Sequence, residues 1–268
     1  MKSKFLYIVI GILLLFSCES QTHLAESNKE NKKDIDVVQQ KMYNVSIVRK
    51  FPHDSLAFTQ GLDVYNGFIY ESTGQLGQSS IRKVDWNTGE VLKKKSIPFK
   101  YFGEGLTIFN NEIYYFTWQD KIGWTFDIET FNQKTPFCYD SEGWGLTSND
   151  KSLIMTDGTN LIRYKDKDNF NTLAIKEVLY QGQPLKFLNE IEYVDGDIYA
   201  NIWGKDQIAV IDEKTGAVKT LIDLSFLRNE LEGSRLAEVL NGIAYNSETK
   251  TFIVTGKNWP FYFELKID

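Results

Sequence analysis

Three features of the sequence predict an all-β protein made of five similar sheets. A phrase of the form x-Gly-Leu, with variants, returns five times along the chain. A turn-forming dipeptide and then an apolar pair with strand character follow each copy. Successive copies are 44, 40, 45 and 52 residues apart, close to the length of one four-stranded propeller blade. We therefore predict a five-bladed β-propeller; a β-sandwich, the alternative, leaves the repeated phrase unexplained.

Each repeat has the same order of elements. The copies start at Gln60, Glu104, Trp144, Asn189 and Asn241. The apolar pairs begin at Ile69, Ile113, Leu153, Ile198 and, after an insertion, Phe252. The dipeptides between them are Asn66-Gly67, Asn110-Asn111, Asn149-Asp150, Asp195-Gly196 and Asn246-Ser247. These residue types tolerate positive φ in tight hairpins, so each dipeptide is predicted to join two strands.

The two ends of the folded part predict how the propeller closes. The last repeat has room for only three strands, 242–246, 251–256 and 261–267, while the alternating segment 43–51 has no partner in the first repeat. Pairing of 43–51 into the last blade supplies the missing strand and leaves no open sheet edge. The longest interval, between the fourth and fifth copies, contains extra residues over 224–240. Leucines lie among charged residues in this segment, and a short helix is expected there.

The first residues predict export from the cytoplasm. Lys2 and Lys4 precede an apolar run over 5–16, which is short for a membrane span but typical of a signal peptide. The run ends in Phe16-Ser17-Cys18 and resembles the bacterial lipobox; a plain secretory signal is the alternative. The predicted organisation is a signal peptide over 1–17, lipid attachment at Cys18, a flexible polar tether over 18–42 and a catalytic propeller over 43–268. The protein is then expected to be anchored to a bacterial membrane, facing the periplasm or the exterior.

Composition excludes several classes of function. The chain has 30 basic and 36 acidic side chains and a net charge of −6, without a basic block in its predicted folded part, so we expect no nucleic-acid binding. Two cysteines and two histidines are too few for a disulfide framework and leave the folded part short of the four ligands of structural zinc. Cys138 is expected to be a buried apolar residue. His53 is interpreted as structural, and Asp54, Glu142 and Glu190 as hydrogen-bonding turn residues.

Equivalent repeat positions are expected to form rings, because the innermost strand of every propeller blade lines the central channel. The first ring contains Gln60, Glu104, Trp144, Asn189 and Asn241; the second contains Thr73, Trp118, Asp157, Trp203 and Lys257, with Trp259 near the fifth blade. Together they predict a pocket with aromatic walls, carboxamides, a carboxylate and an ammonium group, which suits a small polar ligand with a cationic amine. Packing between blades is the equal alternative for any single tryptophan.

Longer motifs carry a resemblance to a known family. They include Phe51-Pro52-His53-Asp54, Ala57-Phe58-Thr59-Gln60-Gly61-Leu62, Phe102-Gly103-Glu104-Gly105-Leu106-Thr107, Leu188-Asn189-Glu190-Ile191, Ala200-Asn201-Ile202-Trp203 and Val254-Thr255-Gly256-Lys257-Asn258-Trp259-Pro260. From about Val45 to the C-terminus, the chain resembles the plant and bacterial glutaminyl cyclases (glutaminyl-peptide cyclotransferases). The resemblance implies a five-bladed propeller that converts N-terminal glutamine to pyroglutamate, releases ammonia and requires no metal or other cofactor.

The resemblance also implies roles for individual residues. Glu104 matches the catalytic acid/base of the family. The residues that match its substrate-binding positions are Phe58, Gln60, Trp118, Trp144, Asn189, Trp203 and Lys257. None of these positions is substituted. Glu104 is expected to take a proton from the α-amine and to give one to the leaving nitrogen, while Asn189 and Lys257 are candidates to bind the amide oxygen.

Two other functions compete with the cyclase. A non-catalytic, surface-anchored propeller would bind a ligand or a partner protein in the same pocket without releasing ammonia. A calcium-dependent, lactonase-like propeller needs converging carboxylates, but only Glu104 and Asp157 in the two rings are acidic. An ion in the central channel is left open. The expected partners are peptides or proteins with N-terminal glutamine, and the protein is expected to be a monomer.

Overall fold

The computed structural model describes residues 43–268, which form five four-stranded antiparallel sheets and a two-stranded hairpin. Blade 5 takes β1 (Val45–Pro52) from the start of this region. Blade 1 contains β2 (Thr59–Tyr65), β3 (Phe68–Thr73), β4 (Ser80–Asp85) and β5 (Val91–Ser96). Blade 2 contains β6 (Gly103–Phe109), β7 (Glu112–Thr117), β8 (Ile122–Asp127) and β9 (Gln133–Cys138).

The remaining blades follow the same order. Blade 3 contains β10 (Leu146–Ser148), β11 (Leu153–Met155), β12 (Leu161–Lys165) and β13 (Thr172–Glu177). A hairpin of β14 (Leu179–Tyr180) and β15 (Gln183–Pro184) leads to blade 4, which contains β16 (Leu188–Val194), β17 (Asp197–Ile202), β18 (Gln207–Asp212) and β19 (Val218–Asp223). Blade 5 combines β1 with β20 (Leu240–Asn246), β21 (Thr251–Gly256) and β22 (Phe261–Ile267).

The five sheets close into a propeller around their first strands. Each of β2, β6, β10 and β16 contacts the first strand of the next blade, and β20 contacts β2, which completes the ring. Five clusters of buried apolar side chains fill the spaces between consecutive blades. The predicted five-bladed β-propeller is confirmed, because its hydrophobic surface is buried blade against blade rather than between two stacked sheets.

The predicted closure is also confirmed. Strand β1 pairs antiparallel with β22, with Val45 opposite Ile267 and Pro52 opposite Phe261, and a register shift lies between Ile47 and Arg49. The N-terminal strand is therefore the outermost strand of the last blade. This pairing joins the two ends of the described chain by main-chain hydrogen bonds, and it covers the edge that β22 would otherwise expose.

The glycine of the repeated phrase has a steric reason. A Cβ atom at Gly105 would lie 2.6 Å from the Leu146 nitrogen, and one at Gly145 would lie 2.2 Å from the Asn189 oxygen. The first strands of neighbouring blades therefore approach too closely for a side chain at this position. The repeated glycine in the sequence is therefore required by main-chain contact between neighbouring first strands around the propeller axis.

Three of the five predicted hairpin dipeptides have the expected conformation. Both residues of Asn66-Gly67, Asn110-Asn111 and Asp195-Gly196 have positive φ. Asn149-Asp150 and Asn246-Ser247 also connect consecutive strands, as predicted, but through longer turns. Neither dipeptide has positive φ; instead, each asparagine side-chain oxygen accepts main-chain N–H groups two and three residues further on. The longer loop lets an asparagine side chain replace the main-chain geometry of a two-residue turn.

Three further predictions concern the 224–240 segment, Cys138 and the N-terminal residues. The 224–240 segment forms a 3-10 helix over Ser225–Leu231, and it buries Leu227 and Leu231. Cys138 was expected to be buried but is exposed, because it ends the outermost strand of its blade. Within 43–268, no helix is long and apolar enough to cross a membrane. The predicted signal peptide over 1–17, lipid attachment at Cys18 and tether over 18–42 lie outside the described residues.

Candidate active site

One face of the propeller carries a cavity of about 450 Å³. The first strand of each blade begins at this face and the second strand ends there, so both predicted rings of side chains are brought toward it. The cavity is lined by Phe58, Gln60, Phe102, Glu104, Trp118, Trp144, Asn189, Trp203 and Lys257. The structure therefore brings together all eight residues that the sequence singled out as a site, and it adds Phe102.

Four residues of the predicted rings do not line the cavity. Thr73 hydrogen-bonds the Ser80 hydroxyl at 2.8 Å, and Asp157 forms an ion pair with Arg163 at 2.9 Å. Trp259 is completely buried and donates its indole N–H to the Glu238 carbonyl. Asn241 is also completely buried. These side chains follow the repeat but are used for packing and hydrogen bonding within and between blades.

Phe102 could have been found from the repeat itself. It lies two residues before Glu104, as Phe58 lies two residues before Gln60. Its ring meets that of Phe58 edge to face, with centroids 6.0 Å apart, and it meets the ring of Trp118 at 5.7 Å. The rings of Trp144 and Trp203 form a second pair, with centroids 6.4 Å apart. The cavity thus has two aromatic walls of edge-to-face pairs, a favourable arrangement for such rings.

Glu104 is the acidic group of the cavity. The residue is 5% exposed, and among the hydrogen bonds and ion pairs of the described residues none reaches its carboxylate. Burial raises the pKa of Glu104 well above its usual range; Lys257 opposes this effect and Glu142 adds to it. A carboxylate without hydrogen-bond donors in an apolar pocket holds a proton more readily than one in water. Glu104 can therefore act as a base when ionised and as an acid when protonated.

Lys257 is the cationic group of the cavity. Its ammonium nitrogen lies 4.5 Å from the centre of the Phe58 ring. Burial lowers the pKa of Lys257, while Glu104 and Glu238 act in the opposite direction. No ion pair joins Lys257 to Glu104 in the described region, so the two groups act on each other across the cavity. The Lys257 ammonium therefore keeps its three hydrogen-bond donors available at the pocket surface.

Two carboxamides complete the polar surface. The side-chain oxygen of Asn189 is buried and has no hydrogen-bond partner in the region described, an arrangement that costs stability unless a donor pairs with this oxygen. The side-chain oxygen of Gln60 accepts a hydrogen bond from the Asn241 amide at 3.3 Å. Asn241 thus lies behind the cavity and orients Gln60. Its repeat position alone had not indicated this role.

Other titratable residues from the sequence analysis lie away from the cavity. His53 contacts the Glu71 carboxylate at 2.9 Å and the Trp259 carbonyl at 2.7 Å, as expected for a structural residue, and Asp54 accepts the Leu56 N–H, as expected for a turn. Glu190 is not a turn residue: it lies in β16, completely buried, and accepts the main-chain N–H groups of Leu62 in blade 1 and Ile243 in blade 5. Residues 43–268 contain no group of three or more His, Cys, Asp or Glu that could hold a metal ion.

The fold and the cavity define a β-propeller with a pocket suited to acid–base chemistry. The pocket has one carboxylate, one ammonium and two carboxamides between aromatic walls. The family model for glutamine cyclotransferases matches residues 16–267 of this chain. A glutaminyl-peptide cyclotransferase from Arabidopsis thaliana is 39% identical over 228 residues, which cover 83% of this chain and 71% of that protein. The chain therefore belongs to the glutamine cyclotransferase family, as its motifs predicted.

A solved structure supports the same assignment. The crystal structure of glutaminyl cyclase from Myxococcus xanthus matches with a TM-score of 0.78 and 32% sequence identity. The match covers 84% of this chain and 96% of that one. Fold and family thus agree, and the chain is an enzyme of this family.

Proposed function

We propose that this enzyme converts the N-terminal glutamine of peptides or proteins to pyroglutamate and releases ammonia, with Glu104 as the acid/base. The names of its relatives and its family support this reaction. The observation that carries the proposal at the level of the site is the buried Glu104 carboxylate, which faces an aromatic cavity without a partner of its own. The cavity volume of about 450 Å³ is in the range of small-molecule and peptide-terminus pockets.

The chemistry requires one proton to be removed and one to be supplied. The α-amine of the substrate attacks the carbon of its own γ-carboxamide, a C–N bond forms, and the bond to the amide nitrogen then breaks to release ammonia. Glu104 accepts the proton that the amine loses and donates it to the leaving nitrogen. Its raised pKa suits both steps, because an acid/base works best when its pKa lies near the working pH.

Ring closure is intramolecular, so much of its rate depends on the shape in which the substrate is held. The aromatic walls formed by Trp118, Trp144 and Trp203 can attract the α-ammonium group and keep the glutaminyl side chain folded toward it. Phe58 and Gln60 line the same cavity and bind the substrate beside them. Asn189 and Lys257 are proposed to donate to the amide oxygen as it becomes negative, a type of contact that is worth about 3 kcal/mol.

The decisive experiment measures ammonia release from a dipeptide that begins with glutamine. The purified protein is incubated with the dipeptide in the presence and absence of a metal chelator. We expect the same rate of release in both, because Glu104 and Lys257 supply the chemistry proposed here. Binding of the dipeptide without ammonia release would contradict the cyclase and favour a non-catalytic binding propeller. Loss of release with the chelator would contradict metal independence.

We further propose that the enzyme is exported and held at a bacterial membrane by a lipid on Cys18, after removal of residues 1–17. The support is the sequence pattern of basic residues, apolar run and cysteine. Fractionation of cells that produce the full chain tests this: wild type is expected with the membranes, and Cys18→Ala is expected to leave them. An unchanged distribution would contradict the anchor. Gel filtration of the protein released in this way is expected to give a monomer.

A further inference from the structure

Glu142 occupies a repeat position that faces the pocket in other blades. It lies two residues before Trp144, just as Phe58 and Phe102 lie two residues before Gln60 and Glu104. Those two phenylalanines line the cavity. Blade 3 therefore places a carboxylate where blades 1 and 2 place aromatic rings. The sequence alone indicated a turn residue here, but in the structure Glu142 hydrogen-bonds residues that line the cavity.

The Glu142 carboxylate binds two walls of the cavity at once. Its Oε2 atom accepts the indole N–H of Trp118 at 2.7 Å and that of Trp144 at 3.0 Å. Its Oε1 atom accepts the side-chain amide of Gln119 at 2.9 Å. Trp118 follows β7 in blade 2, whereas Trp144 precedes β10 in blade 3. Because an indole has a single N–H donor, one oxygen atom fixes the orientation of two rings from neighbouring blades.

The charge of Glu142 also acts on the site. Burial works to raise the pKa of Glu142, but the hydrogen bonds from Trp144, Gln119 and Trp118 outweigh it, so the pKa is lowered and the group stays ionised. Burial is the main cause of the raised pKa of Glu104, and the negative charge of Glu142 adds to it. The titratable groups that act on Glu104 or respond to it are Lys257, Glu142, Tyr115 and Tyr139. An anion that binds the indole N–H groups also favours a cation on the ring faces.

We propose that Glu142 is a positioning residue for the cyclisation: it holds the Trp118 and Trp144 indoles in the orientation that folds the glutaminyl substrate, and its negative charge acts on Glu104. This inference rests on the proposed function. Glu142 touches the walls and not the reacting atoms, so it acts through the indoles and through Glu104.

Two substitutions separate geometry from charge. In Glu142→Gln, the remaining carbonyl oxygen can still accept both indole N–H groups but the charge is lost. In Glu142→Leu, both are lost. We expect kcat to fall about 10- to 100-fold in Glu142→Leu, the factor that loss of a charged hydrogen bond gives, and to be largely rescued in Glu142→Gln. In both variants the acid limb of the kcat/KM profile should move to lower pH, because Glu104 loses a negative neighbour.

Asp120→Asn is the matched control. Asp120 is an exposed acid in the turn just after Trp118, so its substitution removes the same charge nearby, and wild-type kcat and acid limb are expected. Thermal unfolding is measured for every variant, and if Glu142→Leu does not fold, the acid limb of Glu142→Gln decides. Wild-type kcat and acid limb in both Glu142 variants would overturn the inference, as would a loss of activity with an unmoved acid limb. Absence of ammonia release by the wild type would instead contradict the proposed function.

Discussion

Glu104 in the cavity and Glu71 at the seam between blades 1 and 5 are both buried glutamates, 5% and 0% exposed, but their surroundings differ. The Oε1 atom of Glu71 is 2.9 Å from His53 and accepts the Thr59 hydroxyl at 2.7 Å, and its Oε2 atom lies 3.6 Å from Arg82. Burial works to raise the pKa of Glu71, but these partners outweigh it and the pKa is lowered. Glu104 has no such partners among the described residues, and its pKa is raised.

The difference shows how one fold uses the same side chain in two ways. At the seam, His53, Thr59 and Arg82 keep the carboxylate charged, and it links the loop after β1 to blade 1. In the cavity, no hydrogen-bond donor of the described residues reaches the Glu104 carboxylate, so it binds a proton more readily than Glu71 does. The two carboxylates therefore differ in their side-chain partners and not in their burial, and those partners set the direction in which each pKa moves.

Glu104→Gln tests the cavity side of this comparison and is expected to have the largest effect. Because the amide cannot exchange a proton, kcat should fall by about 10²- to 10⁴-fold, the contribution of general acid–base catalysis. Binding of a glutaminyl dipeptide should be nearly unchanged, since the amide keeps the shape of the carboxylate. Ammonia release and equilibrium dialysis measure the two quantities. Retained turnover would remove Glu104 from the mechanism.

Glu71→Gln makes the matching change at the seam. The amide leaves His53 and Arg82 without their buried carboxylate, so the free energy of unfolding should fall by about 3 kcal/mol. This value is near the lower end of the range for a broken buried pair, because Arg82 keeps its ion pair with Asp54. Activity of the folded variant should stay close to wild type. Denaturant titration gives the stability. If Glu71→Gln lost activity but not stability, the division between the two regions would be wrong.

The pH dependence of stability should have opposite signs for the two sites. With a raised folded-state pKa, the contribution of Glu104 to stability is complete below the unfolded-state pKa and is lost as pH rises through the folded-state pKa. With a lowered pKa, the contribution of Glu71 is complete above the unfolded-state pKa and is lost as pH falls through the folded-state pKa. Glu104→Gln should therefore gain stability relative to wild type as pH rises, and Glu71→Gln should approach wild type as pH falls. Parallel curves in denaturant titrations at several pH values would contradict this.

Trp203→Ala is expected to have the smallest effect. Trp203 is 47% exposed and lies at the open side of the cavity, so its interaction with the substrate amine is weakened by water. The loss should raise KM about two- to fivefold, the factor expected for an exposed cation–π contact, with kcat nearly unchanged. Steady-state kinetics provides the measurement. A large fall in kcat would show that Trp203 acts on the reaction step itself.

The sequence by itself determined the fold and most of the site. The repeated glycine records close contact between first strands, so five copies gave five blades, and the incomplete last repeat predicted the pairing of β1 with β22. Equivalent repeat positions then predicted that Glu104, Trp118, Trp144 and Trp203 would meet. Phe102 was within reach of the same reasoning, because it shares the repeat position of Phe58.

Only the tertiary structure decided what each buried polar group does. Glu71, Glu104 and Glu190 are all buried glutamates in first or second strands, and their local sequences do not distinguish them. Glu71 hydrogen-bonds side chains, Glu190 accepts main-chain N–H groups, and the Glu104 carboxylate has no hydrogen-bond partner among the described residues. The role of Glu142 likewise depends on indoles from two blades. Partners that lie far away in sequence set the electrostatics of a carboxylate, and the fold alone brings them together.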